Sequence, residues 1–307
     1  MGTPAFACPS LEALLARTDD AVVGVVCQPD RPRGRGLAVT APEVKRLAAS
    51  RGLPVLQPER LSDPGFAAAL RDLAPDLIVV AAYGKILPRW ILDLPPHGCI
   101  NVHASLLPRH RGAAPIPWAI LAGDATTGVT IMVMNEEMDA GDLLLARTVA
   151  IEPEDTAGTL GARLAALGAA ALVEALDGLK AGRLRPTPQP TEGITFAPRL
   201  TPAQGRLDWT RSAAELDRVV RAFAPAPGAF TTLAGRRLKV HRARPETRSL
   251  PAPPGTIVDA GAEGIVVATG AGALRLLEVQ LEGRRRLAAG AFLAGHPLAV
   301  GTCLGAP

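Results

Sequence analysis

The chain has 307 residues, 48% of them hydrophobic and 20% charged, which is the balance of a globular protein long enough for two cores and excludes a disordered or fibrous chain. The net charge of +4 is unevenly placed: residues 196–307 carry 15 Lys and Arg against 8 Asp and Glu, and residues 1–195 carry 18 against 21. The last third is therefore the basic part and is expected to meet a polyanion such as nucleic acid, although an arginine-rich composition alone gives the same asymmetry.

In chain order, the opening MGTPAFACPS lacks a basic stretch followed by an apolar one, and no uninterrupted apolar run approaches the roughly 20 residues of a membrane span. A soluble, cytoplasmic protein is the expectation. Cys8, Cys27, Cys99 and Cys303 form no C-x-x-C pair, which argues against a disulfide framework or a cysteine-based zinc site. Residues 22–27, 77–82 and 99–102 are short apolar runs bounded by turn residues, as buried strands are. Between them, 42–50 and 64–73 read as helices that open on Pro42 and Pro64, where a missing N–H costs least. This alternation predicts an α/β domain on a doubly wound, mostly parallel sheet. Further strands are expected at 128–134 and 143–151, then an Ala/Leu-rich helix at 156–181.

At 183–190 the chain reads RLRPTPQP, whose prolines cannot continue a helix and favour an extended linker. Beyond it, 213–223 has helical periodicity. The segments 229–233, 237–242, 255–258, 264–268 and 274–279 are strand candidates separated by glycine-bearing turns, the pattern of a small β-barrel.

The chemistry concentrates in residues 98–117, GCINVHASLLPRHRGAAPIP. Side chains alternate along a strand, so Asn101 and His103 share one face with about 7 Å between their alpha carbons. The loop that follows lies beyond the strand's carboxyl end, where open α/β sheets bind ligands. A histidine there is also commonly a structural hydrogen-bonder. The segment MDAGD, residues 138–142, offers Asp139 and Asp142 as partners for His103, and is equally an ordinary turn. Taken together, an amide, an imidazole and a carboxylate suit acyl transfer to an amine. Attack on a formyl carbon develops an oxyanion that Asn101 and a protonated His103 can meet with hydrogen bonds. Asp139 is the carboxylate to pair with His103 or to move protons from the attacking ammonium.

INVH, SLLP, the following R-x-R-G-A-A-P-I and the later MDAGD resemble, in order and spacing, the signature of folate-dependent formyltransferases. The resemblance implies that Asn101, His103 and Asp139 are the catalytic trio and that Ser105, Leu106, Leu107 and Pro108 lie at the folate site. CQPDRPRGRG, AAYGKILP, AGDATTGVTIM and the stretch from Ile194 to Phe223 are similar to the methionyl-tRNA formyltransferases over almost the whole chain. That likeness implies 10-formyltetrahydrofolate as co-substrate, initiator methionyl-tRNA as acceptor, and Arg31, Arg33 and Arg35 as RNA contacts, where a solvated basic loop is the plainer alternative. It further implies a Rossmann-like formyltransferase domain over residues 1–182, a Pro-rich linker over 183–195, and a small OB-like barrel that holds tRNA over 196–307, in a monomer without a membrane partner. A formyltransferase with a small acceptor such as an amino-sugar nucleotide, a formyl-folate hydrolase and a non-catalytic RNA-binding protein are the rivals.

No G-x-G-x-x-G or G-x-x-x-x-G-K-[ST] motif and no His/Glu cluster of metal-ligand spacing is present, so no dinucleotide, nucleoside triphosphate or metal is expected. Trp90, Trp118 and Trp209 are expected to pack. Two departures from the family pattern stand out. Met1 directly precedes the Gly-Thr-Pro turn, where members carry a strand that sits mid-sheet, and Ala226 stands where tryptophan is common.

Overall fold

The computed structural model describes residues 1–33, 38–248 and 251–305. Two compact units are present: Met1–Pro115 with Thr126–Ala150 and Gly161–Pro198, and Ile116–Ala125 with Ile151–Leu160 and Arg199–Pro307.

The first unit begins with α1 (Cys8–Leu15), followed by β1 (Val25–Val26) and a hairpin of β2 (Arg31–Arg33) and β3 (Ala38–Thr40). Next come α2 (Glu43–Ser50), β4 (Val55–Leu56), α3 (Pro64–Asp72), β5 (Ile78–Val80), α4 (Arg89–Leu92) and β6 (Cys99–His103). The helix α5 (Pro115–Ala122), which falls in the second unit from Ile116 on, precedes β7 (Thr126–Val133), β8 (Leu143–Ala150) and α6 (Ala157–Lys180), whose first residues up to Leu160 also fall there. The proline expected to open α3 does so, with Asp63 capping it by accepting from the Gly65 N–H at 2.9 Å. The segment expected to be a strand at 22–27 is extended, but only Val25 and Val26 pair.

β1 pairs with β4 and β5 with β6 in parallel, whereas β6–β7 and β7–β8 are antiparallel. A turn of nine residues suffices for the β7–β8 hairpin, while the parallel pairs need helical crossovers. β6 is buried along its whole length, and α6 lies against it. A Cβ on Gly168 would stand 2.8 Å from Cγ1 of Val102, so glycine lets the helix approach the strand that carries Asn101 and His103. Leu160, Leu164, Leu172 and Leu176 of α6 are buried, each worth about 1.5–3 kcal/mol of apolar transfer. By length and composition α6 could cross a membrane, yet half of its apolar stretch is buried within the protein, as in a core helix. Trp90 packs edge-on against Phe66 at 6.1 Å with Arg71 over its other ring surface at 5.4 Å.

Between β1 and β5 the backbone partners among the described residues are Met1 and Gly2. The Met1 ammonium donates to Val79 O, Gly2 N–H to Val26 O at 2.9 Å, and Ala81 N–H to Met1 O at 2.9 Å. Beyond Met1 the gap continues as a slot of about 330 Å³ lined by Leu11, Val25, Leu70, Leu73, Ile78 and Leu176. This is the mid-sheet position at which the family pattern leads one to expect a strand. Burial pushes the Met1 amine down to about 6.

The second unit holds α7 (Ala213–Ala222), whose Ser212 and Glu215 form a reciprocal capping box. It also holds β9 (Ala229–Leu233), β10 (Arg236–Glu246), β11 (Ile257–Gly261), β12 (Gly264–Ala268), β13 (Ala273–Leu281), β14 (Leu287–Ala288) and α8 (Ala289–Gly295). The sheet is antiparallel in the order β11-β12-β13-β10-β9, with β14 added on β13. Its two outer strands are joined by residues 301–305. Ile257 N–H donates to Thr302 O at 2.8 Å on one side, and Gly305 N–H to Thr232 O at 2.9 Å on the other. A barrel results, closed by a segment without regular structure. Trp209 is buried beneath it and donates to Thr231 Oγ1 at 3.1 Å.

Candidate active site

β6 ends at the corner where the chemistry gathers. Its neighbours fix the register, Val80 and Met132 standing opposite Asn101 and Thr130 opposite His103. Asn101 and His103 are buried and face the β7–β8 turn, which carries Asp139. The Asn101 Nδ2 lies 3.4 Å and the His103 Nδ1 3.6 Å from one atom, Asp139 Oδ1. A single oxygen therefore faces both nitrogens. The other carboxylate oxygen, Oδ2, accepts from the Gly112 N–H at 2.8 Å. His103 Nε2 lies 3.0 Å from the carbonyl of His110. A carbonyl only accepts, so Nε2 carries a hydrogen, and the Nδ1 contact with Asp139 is attractive when a second proton sits there. At 3.6 Å that contact is an ion-pair approach rather than a direct hydrogen bond.

The turn that delivers Asp139 is unusual backbone. Asp139 has φ +51°, a left-handed conformation that costs a non-glycine residue energy and persists where its surroundings impose it. Gly141 is required two residues on, because a Cβ there would lie 1.8 Å from the carbonyl of Val133. Of the two acids weighed as partners of His103, Asp139 takes the place, while Asp142 accepts from the Val133 N–H through its backbone at 2.8 Å.

Ser105, Leu106, Leu107 and Pro108 form the loop directly after β6. The Ser105 hydroxyl donates to Arg109 O at 2.6 Å, and Thr130 ties the loop to β7 by donating to Ser105 O at 2.7 Å and accepting from Leu107 N–H at 3.1 Å. Ser105 and Leu107 are buried, Leu106 and Pro108 half-buried.

The segment expected to be a linker is bound to the same corner. Thr187 exchanges two backbone hydrogen bonds with Leu143, Thr195 Oγ1 accepts from His110 N–H at 2.8 Å, and Arg111 N–H donates to Thr195 O at 2.9 Å. Sequence reasoning passed over Gln189, Thr195, Thr130 and Gly112. Nothing local distinguishes them, since each acts through partners tens of residues away.

A family model described as formyl transferase matches residues 1–176, and one described as formyl transferase, C-terminal domain, matches residues 199–297. The chain belongs to the formyl transferase family, among the methionyl-tRNA formyltransferases. It is 55% identical to the methionyl-tRNA formyltransferase of Myxococcus xanthus over 98% of this chain and 96% of that protein. To the methionyl-tRNA formyltransferase of Sorangium cellulosum it is 49% identical over 99% of this chain and 98% of that one. The fold is shared with HypX from Aquifex aeolicus in complex with tetrahydrofolic acid, at a TM-score of 0.62 and 22% identity, covering 90% of this chain and 48% of that one.

Of the three arginines assigned to RNA by resemblance, Arg31 lies on β2 with an exposed side chain 3.2 Å from the equally exposed Glu59, an ion pair of little energetic weight. Arg33 ends β2, and Arg35 lies outside the described residues. The second unit has a groove of about 930 Å³ whose walls carry five arginines, Arg218, Arg221, Arg242, Arg244 and Arg286, and five acids, Asp124, Glu152, Glu154, Asp217 and Glu263, so its charge is mixed rather than basic. The Asp217 carboxylate is held by Arg221 at 2.7 Å. Among the described residues no group of three or more His, Cys, Asp or Glu could hold a metal ion.

Proposed function

We propose that the chain transfers the formyl group of 10-formyltetrahydrofolate to the amino group of methionine on initiator tRNA, with Asn101, His103 and Asp139 as the catalytic residues. The observation that carries this is the convergence of the Asn101 and His103 donors on one oxygen of Asp139, within a chain similar end to end to methionyl-tRNA formyltransferases. When the amine attacks the formyl carbon, the carbonyl oxygen takes negative charge, and the two donors supply hydrogen bonds to it. The amine loses one proton as the new C–N bond forms, and N10 of the folate gains one as its bond to the formyl carbon breaks. Asp139, beside both donors, is the group placed to accept and return that proton. The half-buried Leu106 and Pro108 offer the pterin an apolar edge next to β6, in a loop held by Ser105 and Leu107.

The arginine-rich last third of the chain and Arg31, Arg33 and Arg35 make up the RNA-binding part of this reading, in a cytoplasmic monomer. The test is formyl transfer to charged initiator tRNA, with free methionine and elongator methionyl-tRNA as competitors, repeated over a range of salt. Initiator-specific transfer is expected, with an apparent tRNA affinity that falls as salt rises because bound phosphates release counterions. Equal use of free methionine, or an affinity indifferent to salt, would overturn it.

A further inference from the structure

The turn that carries Asp139 is held from outside by one side chain, and that side chain comes from the Pro-rich segment. The Gln189 amide nitrogen donates to Asp139 O at 2.9 Å and to Gly141 O at 2.8 Å. Its oxygen accepts from Arg111 Nε at 3.1 Å and Arg111 Nη2 at 2.7 Å. A primary amide has two N–H donors and two acceptor sites, and all four are used. The orientation of the amide is not ambiguous, since a guanidinium can only donate and a carbonyl can only accept. Gln189 thereby joins the loop after β6, through Arg111, to the β7–β8 turn, through the residues on either side of Ala140. The same loop supplies the Gly112 N–H to Asp139 Oδ2 at 2.8 Å. Asp139 is thus gripped at its carbonyl and at its carboxylate by two ends of one hydrogen-bonded frame, with its backbone in the left-handed region at φ +51°.

We propose that Gln189 is a positioning residue for the reaction, which sets the Asp139 carboxylate against Asn101 and His103; this rests on the catalytic reading of Asp139. No other residue type does the same work. Glutamate keeps the shape and the Arg111 pair but presents an acceptor to two carbonyls. Asparagine is one methylene too short to reach both sides.

The experiment compares Gln189→Ala, Gln189→Glu and Asp139→Asn, alone and as the Gln189→Ala/Asp139→Asn pair, in full-length protein, measuring kcat, the KM for folate and thermal melting. Expected for both Gln189 variants is a fall in kcat of about 10- to 100-fold, the range for a small misplacement of a reacting group, with the folate KM within about threefold of wild type. In the double variant, loss of Gln189 adds nothing beyond Asp139→Asn, because a residue acting through Asp139 has nothing left to place. A Gln189→Glu enzyme with wild-type kcat, or losses that multiply in the double variant, overturns the proposal. Should Gln189→Ala fail to fold, Gln189→Glu, which retains the Arg111 pair, decides. Wild-type turnover by Asp139→Asn would instead sink the catalytic reading, and that arm leaves residue 189 untouched.

Discussion

The two sides of β5 make opposite use of the same sheet. On one side β5 pairs with β6, and from there through β7 and β8 every strand has a neighbour, ending in a corner where Asn101, His103 and Asp139 are held by loops that are themselves hydrogen-bonded. On the other side β5 meets only Met1 and Gly2 before the slot that separates it from β1. The corner is over-determined and the slot under-filled. The hydrogen bonds around Asn101, His103 and Asp139 come from β6 to β8 and the segment 187–197, whereas β1 and β4 reach β5 through Met1 and Gly2. Activity and stability should then respond to different substitutions.

The largest expected effect breaks the corner alone. Asn101→Ala, His103→Ala and Asp139→Ala should each lower kcat by about two to four orders of magnitude, the range for losing an oxyanion donor or an acid-base group, with the melting temperature nearly unchanged. Steady-state kinetics beside calorimetry checks both halves, and near-normal turnover by any one of the three removes that residue from the trio.

Filling the slot should do the reverse. An apolar, β-branched extension of about five to seven residues ahead of Met1, the usual strand length, fits between β1 and β5 and pairs with both. The melting temperature should rise on the order of 5 °C or more while kcat stays put. Hydrogen exchange should slow at Val25, Val26 and Ile78–Val80. Equal melting temperatures with protected amides in both chains would mean that the slot is not a strand position.

How much of this was legible depended on whether a feature is local. β6 and its chemistry could be read because alternation places Asn101 and His103 on one face, and the helices that open on Pro42 and Pro64 carry their own start signals. The single glycine at 141 marks the turn, but the left-handed φ of Asp139 leaves no mark, because aspartate is at home in many loops. α1 was missed, since Cys8 and Pro9 are poor helix formers that succeed only as a first turn. The segment 183–195 was expected to be a spacer because its prolines forbid helix. The same prolines leave an extended chain whose free groups at Thr187, Gln189 and Thr195 bind the catalytic loops, and no local pattern announces partners 40 to 90 residues away. For the same reason five of the barrel's six strands were recognisable by their turns, while β14 and the segment that closes the barrel were not.

That closing segment bears on the order in which the protein can be made. Residues 301–305 join Thr232 to Ile257, so the β11 edge stays bare, and the β9 edge is met only by Arg206 and Leu207 at Phe230, until those residues are available. During synthesis the formyl transferase core can settle early from contacts within its own length. The second unit instead waits with β11 exposed, an edge that invites pairing with another nascent chain. Ribosome-bound chains stopped short of residue 301 are where this formyltransferase is most exposed to misassembly.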